Sequence, residues 1–304
     1  MLRTMDRFID RGNFQLAYKV IGKSKIPLIL CDGIGCIGFA WKALFEEFQN
    51  TFSFIRWHYR GHGQTGKPSN PLPQDFSIDK LCEDLNIILE RENIKHAVLL
   101  GHSMGSQVVL EFGLRYPDKA LALVPICGAY GSPFQYQIKW RWLSKFLPQA
   151  IEQVRKYPQI RDYIKALGKF PYWHEVGTLI ETNGKLLKKE YMVDYFPDIT
   201  NIDPESFLMM AEQMNTHSVE QQFDQIQQPT LVVYGEHDGF TPAWLSEKMV
   251  RKLPHAEACF LPLCSHMGHV ELKELFHLKL EKFLYTHFDK KDLLLSNSVK
   301  SVAA

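Results

Sequence analysis

The chain has 304 residues, a formal net charge of +1, 45% apolar residues and 23% charged residues. These are globular proportions, in a chain long enough to bury a substantial core as one large domain or as a core with an insertion. So small a charge gives no electrostatic footing for nucleic acid, an anionic membrane or an acidic partner.

The first residues, MLRTMDRFIDRGNF, hold no apolar run of signal-peptide length. No stretch of the sequence approaches the roughly 18 apolar residues of a membrane span. The six cysteines (Cys31, Cys36, Cys82, Cys127, Cys259 and Cys264) fall mostly in apolar runs with no C-x-x-C pair. They are expected to be reduced, as in a cytoplasmic protein, with no disulfide framework.

Residues 14–22 (FQLAYKVIG) alternate apolar and polar, which predicts a strand near a sheet edge. Residues 26–31 (IPLILC) form a continuous apolar run, as a strand buried on both faces requires, and end in the glycine-rich DGIGCIG. An amphipathic segment, FAWKALFEEF, precedes the next strand at 52–57 (FSFIRW), which runs into HYRGHGQTGKP. The pattern over 78–91 is helical, with Ser77 as its N-cap. An apolar run at 96–100 (HAVLL) leads to a helix-like run at 107–115, then Pro117 as a breaker and a further strand at 121–128 (LALVPICG). Strands alternating with helices predict a mostly parallel sheet with right-handed crossovers. The loops following such strands share one edge, where α/β sheets bind ligands.

The alternation stops at about residue 129. Up to about 223 the chain offers only helix-like, aromatic-rich segments, among them FQYQIKWRWLSKFL, AIEQVRKY, RDYIKALG, HEVGTLIETNGKLLKKEYM and ESFLMMAEQM. A helical insertion between two halves of a sheet is expected to cap the edge that carries the loops. Strands resume at 230–235 (TLVVYG) and 257–263 (EACFLPL), with a last helix at about 269–286. The expected organisation is therefore a core from 1–128 and 226–288, a helical cap at 129–225, and a loose tail at 289–304.

Between the strand at 96–100 and the helix after it lies G-x-S-x-G: Gly101, His102, Ser103, Met104, Gly105. In a strand–turn–helix setting this pattern is a nucleophile elbow, which exposes the serine Oγ at a helix N-terminus. A serine hydroxyl is a weak nucleophile at its free pKa and needs a base, which needs an orienting carboxylate. The chain supplies both after later strands: EHDGFTP follows TLVVYG, and CSHMGHVE follows CFLPL. The order Ser, acid, His is the one expected on this kind of sheet. Glu236 and Asp238 compete for the acid, and His266 and His269 for the base.

On these residues the chain resembles the α/β-hydrolase superfamily in its serine-hydrolase, esterase-like branch with a helical cap. The resemblance spans roughly 14–288, and in the cap it extends only to position and helical character. It implies an α/β-hydrolase fold, with a mostly parallel central sheet flanked by helices and a helical cap insertion. Asp238 takes the acid position of GEHDGFTP, and His266 takes the base position of SHMGHVE, leaving His269 as an early residue of the last helix. The oxyanion donors implied are the backbone N–H groups of Met104 and Ile34.

Two departures from the family pattern stand out. Asp32 precedes Gly33 where relatives carry His-Gly, and HYRGHGQTGKP has His58 and Thr65 where Asp and Ser are usual. Arg60, His58 and His62 are read as bracing for the elbow. A phosphate or dinucleotide cradle in DGIGCIG lacks the required spacing, and H-E-x-x-H is absent, so no cofactor and no metal site is expected.

The function implied is a cofactor-free serine hydrolase acting on a carboxylic ester of a small to medium acyl group. Lactonase, thioesterase, carbon–carbon bond hydrolase and acyltransferase are close alternatives. A ligand-sensing or scaffold protein on the same fold is the reading from another class. The partner expected is a small-molecule acyl substrate, and no sequence feature sets the oligomeric state.

Overall fold

A computed structural model of the chain describes residues 4–136, 143–157, 159–167, 183, 185–186, 198–199 and 202–296. Eight strands form one sheet: β1 (Arg7–Asp10), β2 (Gln15–Ile21), β3 (Leu28–Cys31), β4 (Phe54–Trp57), β5 (Ala97–His102), β6 (Ala120–Ile126), β7 (Thr230–Gly235) and β8 (Ala256–Leu261). Their order is β1-β2-β4-β3-β5-β6-β7-β8. The β1–β2 and β2–β4 pairings are antiparallel, and every pairing from β4 to β8 is parallel. Strands β3, β4, β5 and β7 are buried at every position, as strands covered by helices on both faces must be.

Alternate side chains feed two apolar layers. Ile29, Leu99, Leu123 and Val232 pack on one face, and Leu28, Leu100, Val124 and Val233 on the other. Three helices flank the first half: α1 (Lys42–Phe48), α2 (Ile78–Arg91) and α3 (Met104–Arg115). Helix α2 has the bounds that its periodicity predicts, and the Ser77 side chain accepts from the Lys80 N–H at 3.4 Å at its start.

Between β6 and β7 the described residues hold no strand. They form the helices Leu147–Lys156, Gln159–Leu167 and Pro204–Thr216, with short helical turns beside them. Glu205 ties this region to the core: it accepts from Lys67 at 2.8 Å, from Arg155 at 2.5 Å and from Arg161 at 2.8 Å. The segment expected to be helical at 174–192 lies outside the described residues except for Asn183, Lys185 and Leu186, as does all of QIKWRW at 137–142.

The structure differs from the sequence expectations in three places. Strand β1 was not anticipated, because four residues with mostly exposed side chains carry no periodic signal. The last helix is interrupted at Leu272, separating Gly268–Glu271 from Lys273–His287. The tail is not loose over 289–296: Leu293 is fully buried and Phe52 bridges Leu294. Backbone bonds there join Ile26 N–H to Asp292 O at 2.8 Å and Leu295 N–H to Thr51 O at 3.0 Å. An apolar LLL run had a hydrophobic layer to join, which outweighs the ordering cost of a chain end. Residues 297–304 lie outside the described residues.

Candidate active site

Ser103 sits between β5 and α3 with φ 55° and ψ −118°, a strained conformation for a residue with a side chain. The two neighbouring glycines are required by contact. A Cβ at Gly101 would lie 2.1 Å from Gly105 O, and one at Gly105 would lie 2.2 Å from Cys31 O. The turn is held by Ser103 N–H donating to Ile126 O at 2.9 Å and by Ser106 Oγ donating to Gly101 O at 2.9 Å.

The loops after β7 and β8 bring their side chains to the same sheet edge. His266 Nε2 lies 3.0 Å from Ser103 Oγ, and His266 Nδ1 lies 3.0 Å from each oxygen of Asp238. Asp238 is itself fixed: Oδ1 accepts from the N–H groups of Phe240 and Thr241 at 2.8 Å each, and Oδ2 accepts from Thr241 Oγ1 at 2.7 Å. With the carboxylate on Nδ1, that nitrogen carries the proton and Nε2 presents its lone pair to the serine hydroxyl.

The rival residues are used elsewhere. Glu236 accepts from the Leu263 N–H at 2.9 Å on the surface. His269 is buried, with Nε2 donating to Ala40 O at 3.1 Å, and burial pulls its pKa down to about 3. Glu271 holds the loop that carries His266, accepting from the Ser265 N–H at 2.7 Å and the Asn183 N–H at 2.8 Å.

Met104 opens α3, where a first-turn N–H has no intrahelical acceptor, and Ile34 lies in the turn after β3. Both line the cavity beside Ser103, and neither N–H donates to any described residue. The neighbouring Gly35 N–H donates to His62 Nε2 at 3.3 Å, while His62 Nδ1 donates to Arg60 O at 3.1 Å. Burial lowers the His62 pKa to about 4, so the ring stays neutral and able to accept that bond.

Asp32 is not among the described residues that line the cavity. Its Oδ2 accepts from Arg56 Nη2 at 3.1 Å in a pair with side chains 2% and 0% exposed. Burial raises the Asp32 pKa, against the opposing pull of Arg56. The loop after β4 braces the same region. Arg60 reaches Asp84 through Nε at 2.7 Å and Nη2 at 2.9 Å, and His58 Nδ1 accepts from the Gln64 N–H at 3.0 Å. Thr65 Oγ1 accepts from the Ala17 N–H at 2.9 Å and donates to His58 O at 2.8 Å.

Two further contributors are Arg56 and Glu271, to which the sequence assigns no such supporting role. The signal for Arg56 was available, since a cation inside the buried strand FIRW demands a counter-charge. Glu271 carried none beyond its place in SHMGHVE.

The cavity over Ser103 has a volume of about 300 Å³ and mainly apolar walls, including Phe39, Phe134, Phe207, Met214, Phe240 and Met267. No Lys, Arg, Asp or Glu is among its described lining residues.

A family model described as alpha/beta hydrolase fold matches residues 26–271. The chain belongs to that family. Within the family, the chain is 25% identical over 281 residues to a 2-hydroxy-6-oxononadienedioate/2-hydroxy-6-oxononatrienedioate hydrolase from Paraburkholderia phymatum, covering 88% of this chain and 90% of the relative. It is 23% identical over 269 residues to a pimeloyl-[acyl-carrier protein] methyl ester esterase from Hamiltonella defensa, covering 87% and 93%. Among solved structures, a thermophilic esterase from Thermogutta terrifontis superposes with a TM-score of 0.75 at 19% identity, covering 93% of this chain and 100% of that one. An enol-lactonase from Burkholderia xenovorans LB400 gives 0.71 at 17% identity, covering 92% and 100%. These two structural likenesses speak for the fold alone. No helix among the described residues is long and apolar enough to cross a membrane.

Proposed function

We infer that the protein is a cofactor-free serine hydrolase that cleaves a carboxylic ester of a small to medium, uncharged acyl group. The observation carrying this reading is the hydrogen-bonded chain Asp238–His266–Ser103, with 3.0 Å at each link, opening on an apolar cavity.

In the reaction, His266 Nε2 takes the Ser103 hydroxyl proton as Oγ attacks the ester carbonyl. Asp238 holds the ring in the required tautomer and stabilises the imidazolium. The carbonyl oxygen becomes an oxyanion facing the N–H groups of Met104 and Ile34, which lose no hydrogen bond to meet it. Collapse breaks the bond to the leaving alcohol, which takes the proton from His266. Water, deprotonated by the same nitrogen, then attacks the acyl-serine; the second collapse returns the proton to Ser103 and frees the acid.

Residues 129–225 act as the cap in this reading. Pro133, Phe134, Phe207, Ala211 and Met214 from that segment line the cavity. The apolar walls favour an acyl chain over the doubly charged dienedioate for which one relative is named. The test is turnover of p-nitrophenyl esters from acetate to octanoate. The wild-type protein is expected to hydrolyse the short and medium esters, and Ser103→Ala to lose this activity by at least about 10³-fold. Turnover that survives in Ser103→Ala refutes the assignment.

A further inference from the structure

His102 ends β5, directly before Ser103, and is 2% exposed. Its Nε2 lies 3.1 Å from the backbone oxygen of His266. A carbonyl oxygen can only accept, so Nε2 carries the proton and donates, which leaves Nδ1 bare. Nδ1 is buried with no hydrogen bond, and it lies under Gly33, where a Cβ would come within 3.3 Å of it. A second proton there would meet no acceptor. Burial pulls the His102 pKa well below its ordinary value, and the neighbouring His269 and His266 add to the shift. The ring is therefore neutral, with its one N–H committed to His266. It also packs against the base: the ring centroids of His102 and His266 are 5.1 Å apart, and those of His102 and His269 are 4.7 Å apart.

We propose that His102 is a positioning residue for the base: its Nε2–H bond to the His266 carbonyl holds the His266 imidazole at hydrogen-bonding distance from Ser103. The proposal rests on the hydrolase reading above and adds a residue that acts through His266 rather than on the substrate. The base comes from a loop after β8, 163 residues along the chain from the nucleophile. Glu271 ties that loop from its own side, through the Ser265 N–H at 2.7 Å. The His102 bond ties it to the elbow itself. Anchor and nucleophile are consecutive residues, so a shift of the turn carries both and preserves the 3.0 Å link from His266 Nε2 to Ser103 Oγ. Without the donor, the His266 backbone can drift from the elbow, and a misplacement of about 1 Å between reacting groups can cost on the order of 10²-fold in rate.

The test compares His102→Gln with His102→Leu in the turnover of p-nitrophenyl butyrate, with thermal unfolding measured on each. Both variants remove the ring, so they share any loss of packing. Glutamine places an amide N–H the same number of bonds from Cα as the imidazole Nε2, whereas leucine has no donor. His102→Leu is expected to lose at least about tenfold in kcat with KM within about threefold of wild type, and His102→Gln to keep a kcat at least about fivefold above that of His102→Leu. A smaller loss in folded His102→Leu overturns the proposal, as does a loss that falls in KM or a folded His102→Gln no better than His102→Leu. The tautomer is read in the wild-type protein, which carries the test if the variants do not fold. A proton–nitrogen correlation spectrum at pH 7 is expected to show the His102 ring neutral and protonated on Nε2, and a charged ring or one protonated on Nδ1 overturns the proposal. If the ester is hydrolysed in a Ser103-dependent way and His102→Leu keeps pace, this proposal fails and the hydrolase reading stands. If no ester is turned over and Ser103 does not react with a fluorophosphonate, both fail.

Discussion

Asp238→Asn changes one atom and tests the whole proton-transfer geometry. Oδ1 of Asp238 accepts from two backbone N–H groups, Phe240 and Thr241, at 2.8 Å each. An asparagine must keep its carbonyl oxygen there, since its NH₂ would meet two donors. The NH₂ then occupies the place of Oδ2, 2.7 Å from Thr241 Oγ1 and 3.0 Å from His266 Nδ1. Thr241 can turn its hydroxyl to accept. Oδ1 also lies 3.0 Å from His266 Nδ1 but already holds two N–H donors, so the new NH₂ favours the tautomer in which Nδ1 accepts and Nε2 carries the proton. That nitrogen then faces Ser103 Oγ as a donor and cannot take its proton. The expected loss is about 10⁴-fold in kcat, or about 5.5 kcal/mol in the barrier, as for a serine triad locked in the wrong tautomer. The assay is p-nitrophenyl butyrate turnover across pH 6–9, with thermal unfolding as a check that the fold is kept. A loss of less than tenfold in a variant with unchanged unfolding temperature would refute the assigned role of Asp238.

Other perturbations test the scaffold. Gly105→Ala places a Cβ 2.2 Å from the Cys31 carbonyl, and it is expected to cost at least about 3 kcal/mol, read by urea unfolding. Arg56→Met leaves the buried Asp32 carboxylate without its cation and should cost about 3–5 kcal/mol, while adding Asp32→Asn should recover part of that loss. His58 and His269 have pKa values pulled down to about 3 and His62 to about 4, each chiefly by burial. The unfolded chain takes up these protons below about pH 6.5 while the fold does not, so stability is retained above that pH. It falls as pH drops from about 6.5 towards 4, by at most about 1.4 kcal/mol per pH unit for each histidine. A melting temperature unchanged between pH 7 and pH 5 would contradict this.

What the sequence revealed depended on how local each constraint is. Strand β7 and helix α2 were legible to the residue because burial and periodicity are set by adjacent positions. Ser103, Asp238 and His266 stood out because each lies in a loop that follows a strand, and parallel topology puts such loops at one edge. Their hydrogen bonds span 163 and 28 residues, distances that no local pattern encodes. The same limit hid the pairing of Asp32 with Arg56 and the docking of Leu293. Each is defined by a partner that only the folded chain supplies.

The most direct measurement is reaction of the folded protein with a fluorophosphonate, followed by peptide mass spectrometry. The adduct is expected on Ser103 alone, formed at least a hundredfold more slowly in His266→Ala, because the base that activates the hydroxyl is gone. A folded wild-type protein that stays unlabelled, or carries the label on another residue, contradicts the account.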